Sequence, residues 1–282
     1  MWIMDIALND VAVPTATQAP RPAMARRRLL SMRRVISPLV ILAAWQAASE
    51  FGVISPRVLA APSAILLSAW GLLVSGALLH HLVISLARVS VGLAIGVSIG
   101  TALALVSGLS RIGEDIVDAP MQMLRTLPFL GLVPMFILWF GIGETPKVAL
   151  VALGSTFPVY LNVFAGIRGV DRKLVEAGQV FGLTRAGLIR HIILPGALPA
   201  GLVGLRYSLG VAWLSLVVAE QINADAGIGY LINDARDFLR TDVIVVGLLV
   251  YALLGLMADA LVRALERRAL RGRPSLMAER VR

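Results

Sequence analysis

The sequence predicts an all-α, polytopic membrane protein with six transmembrane helices and both termini on the cytoplasmic side. Three observations carry that expectation. Apolar residues make up 58% of the chain and charged ones only 15%, a balance foreign to a soluble domain. The apolar residues gather into separate runs of about 20, the number that a helix rising 1.5 Å per residue needs to cross about 30 Å of hydrocarbon; a soluble core is built from narrower stripes. Finally, the basic residues are sorted between alternate connections rather than spread evenly.

In chain order, residues 1–34 read as a disordered basic tail, with Pro14, Pro20 and Pro22 followed by Arg26, Arg27, Arg28, Arg33 and Arg34. Residues 35–54 form an additional N-terminal span. A cleaved signal peptide is the competing account, but the run is longer than a signal core and lies late in the chain. Residues 55–86 form an extracytoplasmic or interfacial segment. Within it the apolar stretch 64–79 is interrupted by Ser68, Gly71, Ser75 and Gly76 and closed by His80 and His81, which suits an interfacial or partly buried helix better than a crossing.

A core domain occupies 87–265. Its first span, 89–107, is uncharged and sets Gly92, Gly96 and Gly100 four apart, on one helix face where a second helix can approach closely. A charged connection at 111–125 precedes a span at 127–143, which Pro128 and Pro134 should kink. A short turn, Glu144 to Lys147, leads into the span 148–167. A polar loop at 168–199, a span at 200–219, a polar segment to Arg240 and a last span at 243–262 follow, before a basic tail at 266–282. On this count twenty of the 26 basic residues fall on the side of the termini and of the 168–199 loop, so the positive-inside rule makes that side cytoplasmic. Counting 64–79 as a seventh crossing would spoil the sorting.

Several function classes drop out. There is no cysteine, and His80, His81 and His191 stand at no metal-ligand spacing, so no metal site is expected. The net charge of +9 is not gathered into a patch with interleaved aromatics, which argues against nucleic acid. The only lysines, Lys147 and Lys173, end no glycine-rich phosphate loop. No paired carboxylates or nucleophile with a base can be assembled, so no catalytic residue is assigned and no cofactor expected. Proton-coupled carriers rely on intramembrane carboxylates, whereas Glu50, Glu220 and Asp259 fall near predicted span ends, where an interfacial role costs less. Arg206 lies seven residues into its span and can reach cytoplasmic water or pair within the bundle; the alternative is an anion-attracting group along a pathway. Tyr160, Asn162, Ser208, Trp213 and Ser215 could line a polar route with it, though such a residue is individually more often one that packs helices together. An energy source is therefore expected from a partner.

The most informative stretch is the 168–199 loop. Asp171 can cap a short helix with Leu174, Ala177, Gly178 and Phe181 on one face, and Gly182 can stop it in a left-handed conformation. Thr184 can cap a second helix, bearing Leu188, Ile189, Ile192 and Ile193, which is expected to end before Pro195. A solvated loop is the plain alternative. The spacing of Glu176, Ala177, Gly182, Ile192, Leu194 and Pro195, with Gly178 where alanine is usual, resembles the E-A-A loop of the ABC importer permeases. Similarity continues through Gln122 to Pro128, Phe136 to Glu144, Gly204 to Trp213 and Ala226 to Gly255, and is greatest with the branch serving aliphatic sulfonates, taurine and nitrate, the sulfonate permeases above all. The resemblance implies a MetI-like fold and a role as the permease of an ATP-driven importer in a bacterial inner membrane. Residues 176–195 would dock on cytoplasmic ABC ATPase subunits. It further implies a permease homodimer, two ATPase subunits that bind the ATP, and an extracytoplasmic binding protein. The cargo would be an aliphatic sulfonate, with taurine or nitrate as alternatives; an ion-coupled carrier working alone is the runner-up.

Overall fold

The computed structural model describes residues 23–126, 129–222 and 224–270; what the sequence suggests for 1–22 and 271–282 lies outside them. The elements are helical throughout: α1 (Ala23–Glu50), α2 (Pro62–Val74), α3 (Ala77–Leu109), α4 (Arg111–Thr126), a 3-10 turn (Phe129–Leu132), α5 (Val133–Phe140), α6 (Glu144–Arg168), α7 (Arg172–Val180), α8 (Arg185–Leu188), a π turn (Ile189–Ile193), α9 (Leu194–Ile222), α10 (Ile228–Asp237) and α11 (Thr241–Ala269).

The count of six spans is corrected by these elements. Among the described residues four helices are long and apolar enough to cross a membrane: Ala77–Leu109, Glu144–Arg168, the continuous Arg185–Ile222 and Thr241–Ala269. The apolar run at 35–54 falls short because α1 ends at Glu50 and the chain turns over the next residues. Its uncharged helical part, 35–49, is about 22 Å long at 1.5 Å per residue, less than the hydrocarbon thickness. The run at 127–143, part of which lies outside the described residues, is broken into the 3-10 turn and the 8-residue α5. Pro134 opens α5, where its missing amide hydrogen is harmless, and a helix of that length covers only about 12 Å. The boundary near Val89 also moves. Gly76, at φ 75°, separates α2 from α3, so His80, His81 and Arg88 belong to the long helix α3.

Packing sets the directions. Gly92 lies against Val151, Gly96 against Ala152 and Ser155, Gly100 against Thr156 and Tyr160, and Gly108 against Ile167, so α3 and α6 run parallel in close contact. Antiparallel to α6 lies α9: Gly204 meets Pro158 and Asn162, Ser208 Oγ donates to the Ser155 carbonyl at 2.8 Å, and Leu150 clusters with Ala219. Because α3 and α6 are parallel, the chain between them must return along the bundle. It does so in pieces, through α4, which packs Met121 against Ala104 and Tyr160, and α5, which packs Val133 against Leu150. The charged connection at 111–125 is thus a packed helix. One end of the bundle gathers the start of α3, the start of α6 and α10. The other gathers the end of α3, the end of α6, α7 and α8. Away from these seams α11 exposes Leu248, Leu249, Leu253 and Leu256, as a surface solvated by lipid tails does.

Candidate functional site

The segment from Asp171 to Pro195 forms a helical elbow. Asp171 Oδ1 accepts from the Lys173 amide at 2.9 Å and so caps α7. The chain leaves α7 through Gly182, at φ 78°, with the Gly182 amide donating to Gln179 O and the Leu183 amide to Gly178 O, the paired bonds of a left-handed C-terminal stop. Thr184 Oγ1 accepts from the Gly187 amide at 3.2 Å and starts α8. The second helix does not end before Pro195. At the π turn the Leu194 amide reaches back to Ile189 O, an extra residue in the helical register that lets proline open α9 without breaking the rod. The continuous helix runs Arg185–Ile222, 38 residues.

Only part of the expected apolar face of α7 is buried. Gly178 is packed where a Cβ would stand 2.5 Å from Ile192 Cδ1 and 2.7 Å from Leu188 Cδ2. A glycine in place of the usual alanine therefore allows α7 to lie close on the second helix, besides weakening its helix propensity by about 1 kcal/mol. Leu174, Val180 and Phe181 point outward, the last two 86% exposed. Glu176 and Ala177 are exposed beside them. The elbow is tied to the bundle by Arg185, which donates to the Leu109 carbonyl at 3.2 Å, next to an ion pair between Arg168 and Glu114.

The residues suggested for a polar route are not brought together. Tyr160 is fully buried, stacks on Phe164 and donates to Asp118 Oδ1 at 2.9 Å. Ser208 is spent on the α6 contact and Ser215 on its own helix, bonding Val211 O at 2.6 Å. Trp213 packs edge-on against Tyr251. Arg206 pairs with Glu266 at 2.5 Å and lies 3.6 Å from Asp259. Asn162 Nδ2 donates to Pro158 O at 2.8 Å while the side chain lines a cavity between helices.

Sequence reasoning missed a buried charge cluster at the opposite end of the bundle. Arg88, 5% exposed, donates through Nε and Nη2 to both Glu144 oxygens, at 2.5 and 2.6 Å, and through Nη1 to Glu220 Oε1 at 2.7 Å and the Ala226 carbonyl at 2.5 Å. Lys147 Nζ adds a 3.1 Å bond to Glu144. Glu220, 1% exposed, also accepts from Ser85 Oγ, the Gly229 amide and Tyr251 OH. The cluster is electroneutral, two cations against two carboxylates, and it joins α3, α6, α9, α10 and α11. Gly227 is required beside it: at φ 119°, a Cβ there would fall 2.4 Å from Glu220 Cδ. A signal was present in the sequence. Arg88 continues the four-residue interval of Gly92, Gly96 and Gly100, so it shares their buried face.

Residues 92–271 match the family described as "Binding-protein-dependent transport system inner membrane component". The permease protein SsuC of Escherichia coli (strain K12), named for aliphatic sulfonates transport, is 49% identical over 250 residues, 89% of this chain and 95% of that protein. The taurine transport system permease protein TauC of the same organism is 36% identical over 234 residues, 81% of this chain and 85% of its own length. Among solved structures, an amino acid ABC transporter aligns with a TM-score of 0.59 at 22% identity, covering 72% of this chain and 96% of that one. The inward-facing MetNI methionine ABC transporter aligns with a TM-score of 0.52 at 20% identity, covering 64% and 92%. At those identities the structural likeness is one of fold.

Proposed function

We propose, on the premise that this chain belongs to the family of binding-protein-dependent transport system inner membrane components, that it carries aliphatic sulfonates across a bacterial inner membrane. The chain is the membrane permease of an ABC importer, with a MetI-like all-α fold, and ATP hydrolysis belongs to a separate ATPase subunit. The sulfonate reading rests on the 49% identity with SsuC across 95% of that protein, against 36% with TauC. Taurine is the second reading, a smaller sulfonate with the same anionic head.

The elbow is the coupling element in this reading. Glu176, Ala177, Gly178, Gly182, Ile192, Leu194 and Pro195 shape it, and exposed Val180 and Phe181 offer an apolar patch for the ATPase groove. Two permeases would pair, with two ATPase subunits beneath them and a binding protein delivering cargo at the far end, which puts the elbow and the end of α11 in the cytoplasm. ATP-driven closure of the ATPases would push the elbow. Because the helix is continuous from Arg185 to Ile222, the push travels about 53 Å at 1.5 Å per residue before it arrives at Glu220, inside the buried charge cluster. A stiff lever ending in a multi-helix junction converts a local displacement into a rearrangement of the outer end.

The test is uptake by proteoliposomes holding permease, ATPase and binding protein, with alkanesulfonates, taurine and nitrate compared side by side. Alkanesulfonates should be taken up best. Glu176→Lys and Gly182→Val should leave the permease inserted and ATP hydrolysed, yet lower uptake at least tenfold. Normal uptake by both variants, or cleavage of the elbow by protease added outside intact cells, would remove this reading.

A further inference from the structure

A cavity of about 410 Å3 opens between α4, α6 and α9, and Arg125, from the last turn of α4, is on its wall together with Asn162, Tyr207, Leu124, Phe157 and Val211. Its depth is the first notable point. The α6 residues that line it lie between Gly154 and Asn162, in the middle of Glu144–Arg168, and Tyr207 and Val211 are midway along α9. Arg125 therefore stands at the mid-depth of the spanning helices. It is exposed and makes no hydrogen bond or ion pair among the described residues. A guanidinium at such a depth costs about 2.5–3.5 kcal/mol on insertion scales and marks an ion or substrate route when nothing in the protein neutralises it. Arg206 does not compete for that role, because Glu266 and Asp259 already neutralise it.

The polar groups around the cavity are of one kind. Arg125 offers a fork of N–H donors, Tyr207, itself an exposed residue, a hydroxyl, and Asn162 a second amide hydrogen beyond the one given to Pro158. No carboxylate lines the cavity. The remaining wall is hydrocarbon. This combination is the ordinary make-up of a small-molecule site, an apolar hollow with a few convergent polar atoms, and its charge asks for a monoanion with an apolar tail.

We propose that Arg125, with Tyr207 and Asn162, forms an anion station inside the permease that receives the sulfonate head while the alkyl chain lies against Leu124, Phe157 and Val211. The station deepens the reading that the cargo is a sulfonate, and rests on it. A sulfonate spreads one negative charge over three oxygens, two of which can meet the parallel N–H bonds of a guanidinium. Filling the station neutralises Arg125 for as long as cargo is present. The permease itself, and not only its binding protein, then selects for charge.

The experiment uses the full-length permease in lipid nanodiscs, without binding protein, titrated calorimetrically with hexanesulfonate and with hexyl methyl sulfone, a neutral analogue of similar shape. Hexanesulfonate should bind at least tenfold more tightly than the sulfone. Arg125→Gln should weaken hexanesulfonate at least tenfold and leave the sulfone unchanged, Arg125→Lys should fall between, and Tyr207→Phe should weaken it about threefold. Equal binding of sulfonate and sulfone, unaltered binding by Arg125→Gln, or no binding by the wild type would overturn the station. In the last case, sulfonate uptake by the complete importer would still stand if the cargo is correct. Loss of sulfonate uptake in favour of another anion would instead remove the cargo assignment.

Discussion

Replacing Arg88 by methionine is expected to destabilise the folded permease by about 3–5 kcal/mol, the usual cost of removing one partner of a buried ion pair. The two carboxylates that Arg88 holds contribute unequally. Glu144 has a side chain 61% exposed, so once released it rehydrates, and its share is that of a surface pair, under about 1 kcal/mol. Glu220 is 1% exposed and cannot rehydrate. It would keep Ser85, the Gly229 amide and Tyr251 as donors but carry an unneutralised charge, and that carries most of the cost. Lys147→Met combined with Glu144→Gln, which leaves Arg88 with Glu220 and strands neither buried cation, should therefore cost under about 1 kcal/mol, whereas Glu144→Gln alone would leave the buried Lys147 ammonium without its carboxylate and cost more. Arg88→Met combined with Glu220→Gln should recover at least about half of the loss, because the amide still accepts while the stranded charge is gone. The assay is equilibrium unfolding of the purified permease in mixed dodecylmaltoside and SDS micelles, followed by tryptophan fluorescence. Equal destabilisation by Arg88→Met and by Lys147→Met with Glu144→Gln, or a variant joining Arg88→Met to Glu220→Gln no more stable than Arg88→Met alone, would refute the reasoning.

Other substitutions separate contact with backbone from contact with flexible tips. Gly96→Ala should cost about 1–3 kcal/mol in the same unfolding assay, since its Cβ would meet the Ala152 carbonyl oxygen at 2.4 Å and α6 would have to move. Gly178→Ala should be close to neutral, because the atoms it meets are the mobile ends of Ile192 and Leu188 and the helix gains about 1 kcal/mol of propensity; a sharp drop in midpoint would contradict this. Tyr160→Phe gives up the hydrogen bond to Asp118 and should lose about 1 kcal/mol of stability with the KM of uptake unaltered. A shifted KM would put Tyr160 on the cargo route after all.

Legibility in the sequence followed the range of the interactions. The ends of α7 and α8 depend on chemistry within three or four residues, Asp171 with Lys173 and Thr184 with Gly187, and such caps can be read from residue type and spacing. The interval of Gly92, Gly96 and Gly100 likewise sets them on one face whatever lies opposite. Pro195 departs from the rule that proline ends a helix because that rule assumes regular register, and the π turn at Ile189–Ile193 changes the register just before it. Tyr160, Asn162, Ser208, Trp213 and Ser215 share polarity and nothing else that points to a pathway. Polarity does not say whether a hydroxyl is used by a neighbouring helix, as Ser208 is by Ser155, or faces open space, as Tyr207 does.

Composition and periodicity by themselves determined that this chain is a helical membrane protein with a glycine-lined face and an elbow, because those features follow from transfer of apolar residues out of water and from bonds between near neighbours. Only the tertiary structure decided how many helices reach membrane length and which charges are buried. Arg88, Lys147 and Glu220 read as charges at the edges of spans, which water or lipid headgroups would solvate. Their burial depends on the ends of α3, α6, α9 and α10 converging. Arg88 and Glu220 are 132 positions apart, and no local pattern records that two such residues share one unhydrated site.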